Sequence, residues 1–205
     1  MSDEDFARAD EKSRKRKEMR DRMMATKILE KGLLMVHTGK GKGKSTAAFG
    51  VAFRALGHGK RIGIVQFVKG KWESGERAAF ARFGDQVTIH AQGEGFTWET
   101  QDRARDIANA EEAWAVAVGM IEAARDSGAY DLLVFDELNI ALRYDHLPIA
   151  GVVAVLLGRP EGLHIIVTGR NAKPELIEAA DLVTEMEAVK HPFAAGIKAQ
   201  QGIEF

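Results

Sequence analysis

The chain has 205 residues, of which 29 are Lys or Arg and 30 are Asp or Glu, so no excess of positive charge favours nucleic acid as a partner. Apolar residues make up 45% of the sequence, which suits one domain with a sizeable buried core. There is no cysteine, which excludes disulfides, cysteine nucleophiles and zinc–thiolate sites.

Residues 1–31 differ in composition from the rest of the chain. Ten of them are Lys or Arg, eight are Asp or Glu, and none is Gly or Pro. A thin apolar stripe at helical spacing is formed by Met19, Met23, Met24, Ile28 and Leu29. The pattern predicts a solvated amphipathic helix or a flexible arm, and disorder is the alternative, because so thin a stripe buries little by itself.

The composition of residues 1–31 also bears on where in the cell the protein is located. It is charged from Asp3 onward, unlike a secretory signal, and no apolar run approaches the roughly 20 residues that span a bilayer. We therefore expect a cytoplasmic protein that makes no use of a membrane.

From Gly32 onward, strand patterns alternate with helix patterns. Strands are predicted over residues 33–37, 61–68, 86–91, 132–136 and 163–168. Helices are predicted over 44–56, 76–83 and 102–125 (with Ile107, Trp114, Val118 and Ile121 on one face), from Pro148, and with Pro174 in the first turn of the last. Continuous apolar strands between helices indicate an α/β fold, with a mostly parallel twisted sheet covered by helices on both faces. We expect an N-terminal arm over 1–31 and an α/β domain over 32–205, with its ligand at the carboxyl ends of the strands.

A phosphate-binding loop follows the first predicted strand. Residues 38–46 read Thr-Gly-Lys-Gly-Lys-Gly-Lys-Ser-Thr. Glycines let the backbone wrap an anion with its N–H groups turned inward, and the following helix adds its positive end. Lys44 would supply charge to the phosphates of a nucleoside triphosphate, and the Ser45 hydroxyl is a ligand for Mg²⁺. The usual first glycine is displaced by one position, from Thr38 to Gly39, so the loop is a variant; a Gly/Lys-rich linker is the alternative.

Two acids, Asp136 and Glu137, end the predicted strand over 132–136. In proteins with a phosphate-binding loop, such a strand brings a carboxylate to the metal beside the loop. Asp136 is therefore expected to hold Mg²⁺ (or Mn²⁺), directly or through water, together with Ser45. The role of Glu137 is open: it could polarise water in a hydrolase, bind the ribose or the metal, or face solvent.

Arg170 and an aromatic pair complete the candidate site. Arg170 follows a predicted strand and should lie on the same edge as the loop, where it could meet phosphate in a forked geometry or be a surface arginine. Phe96 and Trp98 lie in a predicted loop. They either fold back into the core or form a platform for a flat apolar ligand.

Taken together, these residues resemble the P-loop type of ATP:corrinoid adenosyltransferase. The resemblance covers residues 32–205, and the charged arm is also similar. It is carried by Thr38–Gly50, Gly59–Lys60, Val65–Gly70, Gly95–Thr100, Val189–His191 and Gly196–Gln200, with 136–138 and 168–170 in agreement. The departures are mild: Lys40 stands where the family often has asparagine, and Ser45 stands where it has threonine.

The resemblance implies a P-loop NTPase-like fold and a specific reaction. The 5′-deoxyadenosyl group of ATP would pass to the cobalt of a reduced corrinoid, releasing triphosphate, in adenosylcobalamin biosynthesis or salvage. ATP would bind in the reverse orientation to most P-loop proteins. Lys44, Phe96 and Trp98 would be catalytic, with the two aromatic residues at the corrinoid. The residues expected to bind ATP are Gly39, Lys40, Gly41, Lys42, Gly43, Lys44, Ser45, Thr46, Glu137 and Arg170.

The resemblance also implies partners, namely a reduced flavoprotein as electron donor and a second copy of the chain in a homodimer. It does not say which corrinoid is preferred. Two other classes of function stay open: a P-loop ATP hydrolase or motor, in which Glu137 activates water, and a non-catalytic nucleotide sensor or assembly module.

Overall fold

A computed structural model of the protein describes residues 3–68, 74–91 and 102–204. The chain separates into two compact units, Met1–Lys31 and Gly32–Phe205. The helices are α1 Asp3–Ala25, α2 Lys44–Leu56, α3 Gly75–Phe80, α4 Arg103–Ser127, α5 Leu138–Arg143, α6 Ile149–Leu157 and α7 Pro174–Ala179. The strands are β1 Leu34–Thr38, β2 Ile62–Gln66, β3 Val87–Ala91, β4 Leu132–Asp136, β5 His164–Thr168 and β6 Leu182–Glu185. Short 3-10 helices occupy Ala81–Gln86 and Pro192–Ala195.

The first unit is the helix α1 followed by an irregular stretch. The residues of α1 from Asp5 onward are exposed, including Met19, Met23 and Met24. A helix is therefore present in the arm, and its sparse apolar stripe buries nothing within that unit. Within residues 3–68, 74–91 and 102–204, no helix is both long enough and apolar enough to cross a membrane.

The second unit is built on a parallel sheet with the order β3-β2-β4-β5-β1-β6 among the described strands. Every described pairing is parallel. Successive residues of a strand face opposite sides, so Leu34 and Val36 join one core cluster while Met35 joins the other. Helices α4 to α7 cover the first face, and α2 and α3 cover the second. The predicted α/β fold with helices on both faces is confirmed.

Alanine forms most of the buried face of α4. The prediction placed four large residues on that face, but Ile107 and Val118 are only half-buried. The residues in full contact with the core are Ala110, Ala113, Ala117, Met120, Ile121 and Ala124. Small side chains let the helix lie close to the sheet, and Trp114 then packs edge-on against the fully buried Phe135, with ring centroids 6.1 Å apart.

Besides the 3-10 helix Pro192–Ala195, sequence patterns missed two elements of this unit. Strand β6 is exposed along its whole length, and α5 begins directly after Glu137 at the end of β4. Both matter for the site, since β6 leads the chain back to the phosphate-binding loop and α5 follows the paired acids.

Candidate active site at the carboxyl edge of the sheet

The phosphate-binding loop joins β1 to α2. Gly43 occupies the N-cap of α2 with φ 101° and ψ −4°, a left-handed conformation that side chains other than glycine adopt only with strain. Glycine at this position has no side chain with which to cap the helix. The N-cap residue therefore does not compete with an anion for the first-turn amides of α2 and its positive dipole end.

Lys44 lies inside the loop. Its side chain is 6% exposed, and its ammonium group donates a hydrogen bond to the carbonyl of Gly41. Burial lowers the pKa of Lys44, and the charge of Arg170 acts in the same direction, while Glu137 and Asp136 oppose the shift. The loop therefore holds a cation in a partly desolvated position, with two carboxylates close enough to stabilise its charge.

Gly41 departs from the sequence expectation. Its N–H group donates a 2.6 Å hydrogen bond to the carbonyl of Met186, in the segment that follows β6. A Cβ atom on Gly41 would come within 2.6 Å of the Glu187 carbonyl oxygen. Glycine is needed here because the chain after β6 passes so close, and this one amide is engaged by protein rather than turned toward an anion.

Asp136 is held from both neighbouring strands. Its Oδ1 accepts a 2.7 Å hydrogen bond from the hydroxyl of Thr168, at the end of β5. Its Oδ2 accepts a 3.3 Å hydrogen bond from the amide of Gln66, its register partner at the end of β2. The carboxylate is 5% exposed and is thus fixed in orientation by two strands.

Glu137 has an unusual backbone and an unusual proton affinity. Its φ of 61° places a non-glycine residue in the left-handed region, and its N–H group donates a 2.9 Å hydrogen bond to Thr168 Oγ1. Burial and then the charge of Asp136 raise the pKa of Glu137 to about 7, although Lys44 and Arg170 act against the rise. Residues with a strained backbone and a strongly shifted pKa concentrate at functional sites.

The turn after β5 is hydrogen-bonded to strand β1 and to helix α5. The Gly169 N–H group donates to the His37 carbonyl at 3.2 Å, and the Gly169 carbonyl accepts from Asn139 Nδ2 at 2.9 Å. Asn139 is fully buried, and its Oδ1 has no hydrogen-bond partner within the described part of the chain. Arg170, at the tip of this turn, is exposed, and its charge reaches Lys44 and Glu137.

The structure thus places four predicted residues within one electrostatic neighbourhood: Lys44, Asp136, Glu137 and Arg170. Gly39, Gly41 and Gly43 shape the loop. Ser45 is half-buried in the first turn of α2, while Lys40, Lys42 and Thr46 are exposed. Phe96 and Trp98 lie outside the described residues.

Sequence reasoning missed Thr168, Gln66 and Asn139 as members of the polar network. A signal for Thr168 was present, since it is a polar residue that ends a predicted apolar strand, whereas Gln66 lay inside the strand predicted over 61–68. Carboxyl ends of parallel strands meet at one edge, so such residues become neighbours of the loop.

The oxygen ligands that the site offers fit Mg²⁺ better than a metal ion that is coordinated by protein side chains alone. The described residues contain no cluster of three or more His, Cys, Asp or Glu side chains able to hold a metal ion. Magnesium usually takes only one or two protein carboxylates and completes its shell with water and phosphate oxygens. Asp136 keeps free lone pairs after its two hydrogen bonds, and Ser45 offers a hydroxyl.

Comparison with known proteins places this chain in a family. Residues 30–205 match the family model described as ATP:corrinoid adenosyltransferase BtuR/CobO/CobP. A corrinoid adenosyltransferase of Sinorhizobium sp is 54% identical over 206 residues, covering 100% of this chain and 94% of the relative. A corrinoid adenosyltransferase of Pseudomonas aeruginosa is 54% identical over 96% of this chain and 97% of its own length, and that of Escherichia coli K12 is 43% identical over 100% of both. The chain therefore belongs to the ATP:corrinoid adenosyltransferase BtuR/CobO/CobP family.

Proposed function

We propose that this enzyme transfers the 5′-deoxyadenosyl group of ATP to the cobalt of a reduced corrinoid, in adenosylcobalamin biosynthesis or salvage. The observation that carries the proposal is the family match across residues 30–205. The convergence of Lys44, Asp136, Glu137 and Arg170 beside a phosphate-binding loop supports it, because those groups suit the charge of ATP.

The bond changes make few demands on the protein. Co(I) of the substrate contributes an electron pair to the ribose C5′, a cobalt–carbon bond forms, and the C5′–O5′ bond breaks with its electrons leaving on triphosphate. Cobalt is the nucleophile, so the protein supplies none, in accord with a chain that lacks cysteine. The protein's task is to hold the two substrates in line, a form of catalysis that can supply about 7–11 kcal/mol of the barrier.

Lys44 stabilises the leaving group in this proposal. Negative charge grows on the triphosphate as C5′–O5′ breaks, and the buried ammonium group, with the uncapped amides of α2, lies where a phosphate chain would be bound. Arg170 adds a second cation from the turn after β5. Binding in the reverse orientation to most P-loop proteins is inferred from the resemblance, and the displaced first glycine at Gly39 agrees with it.

Asp136 and Ser45 would hold Mg²⁺, which supplies positive charge to the phosphate oxygens when bound. Thr168 and Gln66 act as positioning residues, because their hydrogen bonds fix the direction of the Asp136 carboxylate.

Phe96 and Trp98 are proposed to face the lower side of the corrinoid. Apolar rings offer cobalt no lone pair and exclude water, which favours loss of the lower axial ligand and eases reduction to Co(I). A reduced flavoprotein as electron donor, a homodimer and a cytoplasmic location are proposed on the same resemblance.

One observation favours a second candidate function. Glu137, with a pKa of about 7, has the proton affinity of an effective general base at neutral pH, as a P-loop hydrolase would need to activate water. The two functions break different bonds of ATP, so an isotope distinguishes them.

The experiment uses ATP carrying ¹⁸O at the ribose O5′, with Mg²⁺ and a chemically reduced corrinoid under anaerobic conditions. Cleavage of C5′–O5′ sends the label into triphosphate, which is the expected result. Attack of water on phosphorus leaves the label on the adenosine side, in ADP or AMP, and that outcome would replace the transferase with a hydrolase.

A further inference from the structure

The segment after β6 returns to the phosphate-binding loop at two places. At the first, the Met186 N–H group donates to the Thr38 carbonyl at 2.9 Å, and the Met186 carbonyl accepts from Gly41. At the second, the Glu204 carboxylate forms an ion pair with Lys42. The C-terminal segment is therefore anchored to the loop near both of its ends.

The ion pair with Glu204 engages the ammonium group of Lys42, which the loop could otherwise use to bind phosphate. Lys42 lies between the two glycines Gly41 and Gly43, and its side chain is 52% exposed. The Glu204 side chain is only 16% exposed, so its charge is less screened by water than that of an ordinary surface acid. A poorly hydrated carboxylate thus pairs with one of the three lysines of the loop.

We propose that Glu204 acts as an internal anion of the phosphate site: by pairing with Lys42 it lowers the affinity of the loop for triphosphate and so favours release of that product. The inference rests on the proposed function, in which triphosphate is the leaving group. Triphosphate is a polyanion, and a loop with three lysines at positions 40, 42 and 44 would otherwise retain it.

The sign of the effect separates this role from a structural one. A polyphosphate at the loop either displaces Glu204 from Lys42 or remains beside its negative charge, and both cost affinity. Removing the charge should therefore strengthen binding. If Glu204 served only to hold the C-terminal segment against the loop, its removal would loosen the loop and weaken binding.

The test measures binding of inorganic tripolyphosphate to the full chain by calorimetry, without corrinoid or nucleotide. Glu204→Gln should bind about two- to fivefold more tightly than wild type, the scale of a partly exposed charge pair. Glu204→Lys should bind more tightly still, because it adds a cation. The matched control is Glu122→Gln, which removes the same charge from an exposed position on α4. The C-terminus of α4 contacts Arg61, so this end of the helix lies at the amino end of β2.

Weaker or unchanged binding by both Glu204 variants, with the control at wild-type affinity, would overturn the proposal. Equal strengthening by Glu122→Gln would also overturn it, since the effect would then be one of net charge alone. Two variants of different chemistry guard against a folding defect in either. The binding measurement involves no cobalt chemistry. It can therefore contradict the role of Glu204 while the ¹⁸O experiment supports adenosyl transfer, or support that role while the ¹⁸O experiment contradicts adenosyl transfer.

Discussion

The hydroxyl of Thr168 donates to Oδ1 of Asp136 at 2.7 Å and accepts from the N–H group of Glu137 at 2.9 Å. One fully buried side chain therefore fixes two consecutive acids. The sheet order explains this arrangement, because β5 lies between β4, which ends in Asp136, and β1, which leads into the phosphate-binding loop.

Thr168→Val tests this relationship. The substitution keeps the shape of the side chain but removes the donor to Asp136 and the acceptor for Glu137, at a cost of about 1–3 kcal/mol in the free energy of unfolding for each buried group left unpaired. We expect kcat/KM for ATP to fall about 10- to 100-fold, of the order that misorientation of a catalytic group produces. Thr168→Ser restores the hydroxyl and should recover most of both losses. Equal kinetics for the valine and serine variants would show that the hydroxyl has no positioning role.

Lys44→Ala tests the proposed stabilisation of the leaving group. Loss of this buried cation should lower kcat by about 10²- to 10³-fold, as for other groups that meet charge developing in a water-excluded site. The matched control is Lys60→Ala, which removes an exposed lysine that pairs with Asp131 at 3.1 Å, at the amino end of β2. Single-turnover rates at saturating ATP make the comparison. Near-wild-type rates for Lys44→Ala would remove the lysine from the mechanism.

The raised pKa of Glu137 predicts a pH-dependent stability. The folded protein binds this proton more tightly than the unfolded chain, whose glutamate has the ordinary pKa of 4.5. Between that value and about 7, stability therefore falls as pH rises, and below 4.5 the penalty is absent. Glu137→Gln, which cannot ionise, should unfold at a higher temperature than wild type at about pH 8 and show little advantage near pH 4.5. A difference that is constant over this range would mean that the carboxyl titrates normally.

The aromatic pair is best tested by changing the source of electrons. Phe96→Ala and Trp98→Ala should bind ATP normally and lose activity when a reduced flavoprotein is the donor, because a cobalt that keeps its lower axial ligand is harder to reduce. They should recover much of that activity when a strong chemical reductant supplies Co(I) directly. Equal loss with both reductants would assign the two rings to packing or binding instead.

The fold was largely predictable because its strands are buried on both faces. Leu132–Asp136 reads as an uninterrupted apolar run that ends in an acid, and the structure makes it a central strand with all five residues buried. Strand β6 was missed for the opposite reason: Leu182–Glu185 lies at the sheet edge with every residue exposed, so burial imposes no pattern on its sequence.

Some features of the candidate site could likewise be predicted from the sequence, and others could not. Lys44 and Asp136 could be predicted because the first belongs to a recognisable loop motif and the second ends an apolar strand. The contacts of Gly41 with Met186 and of Lys42 with Glu204 were not found, since they join residues far apart in sequence and depend on the path of a segment without periodicity. The partners of Asp136 depend on strand order, which one sequence does not specify.

The proposed adenosyl transfer is tested most directly by following the corrinoid spectrum and the phosphate products in the same reaction. Purified full-length protein is mixed with MgATP and a chemically reduced corrinoid under anaerobic conditions, the visible spectrum is recorded, and the phosphate products are quantified. We expect a light-sensitive alkylcobalt spectrum that forms in step with one triphosphate per turnover. ADP and orthophosphate with no change in the corrinoid spectrum would contradict it.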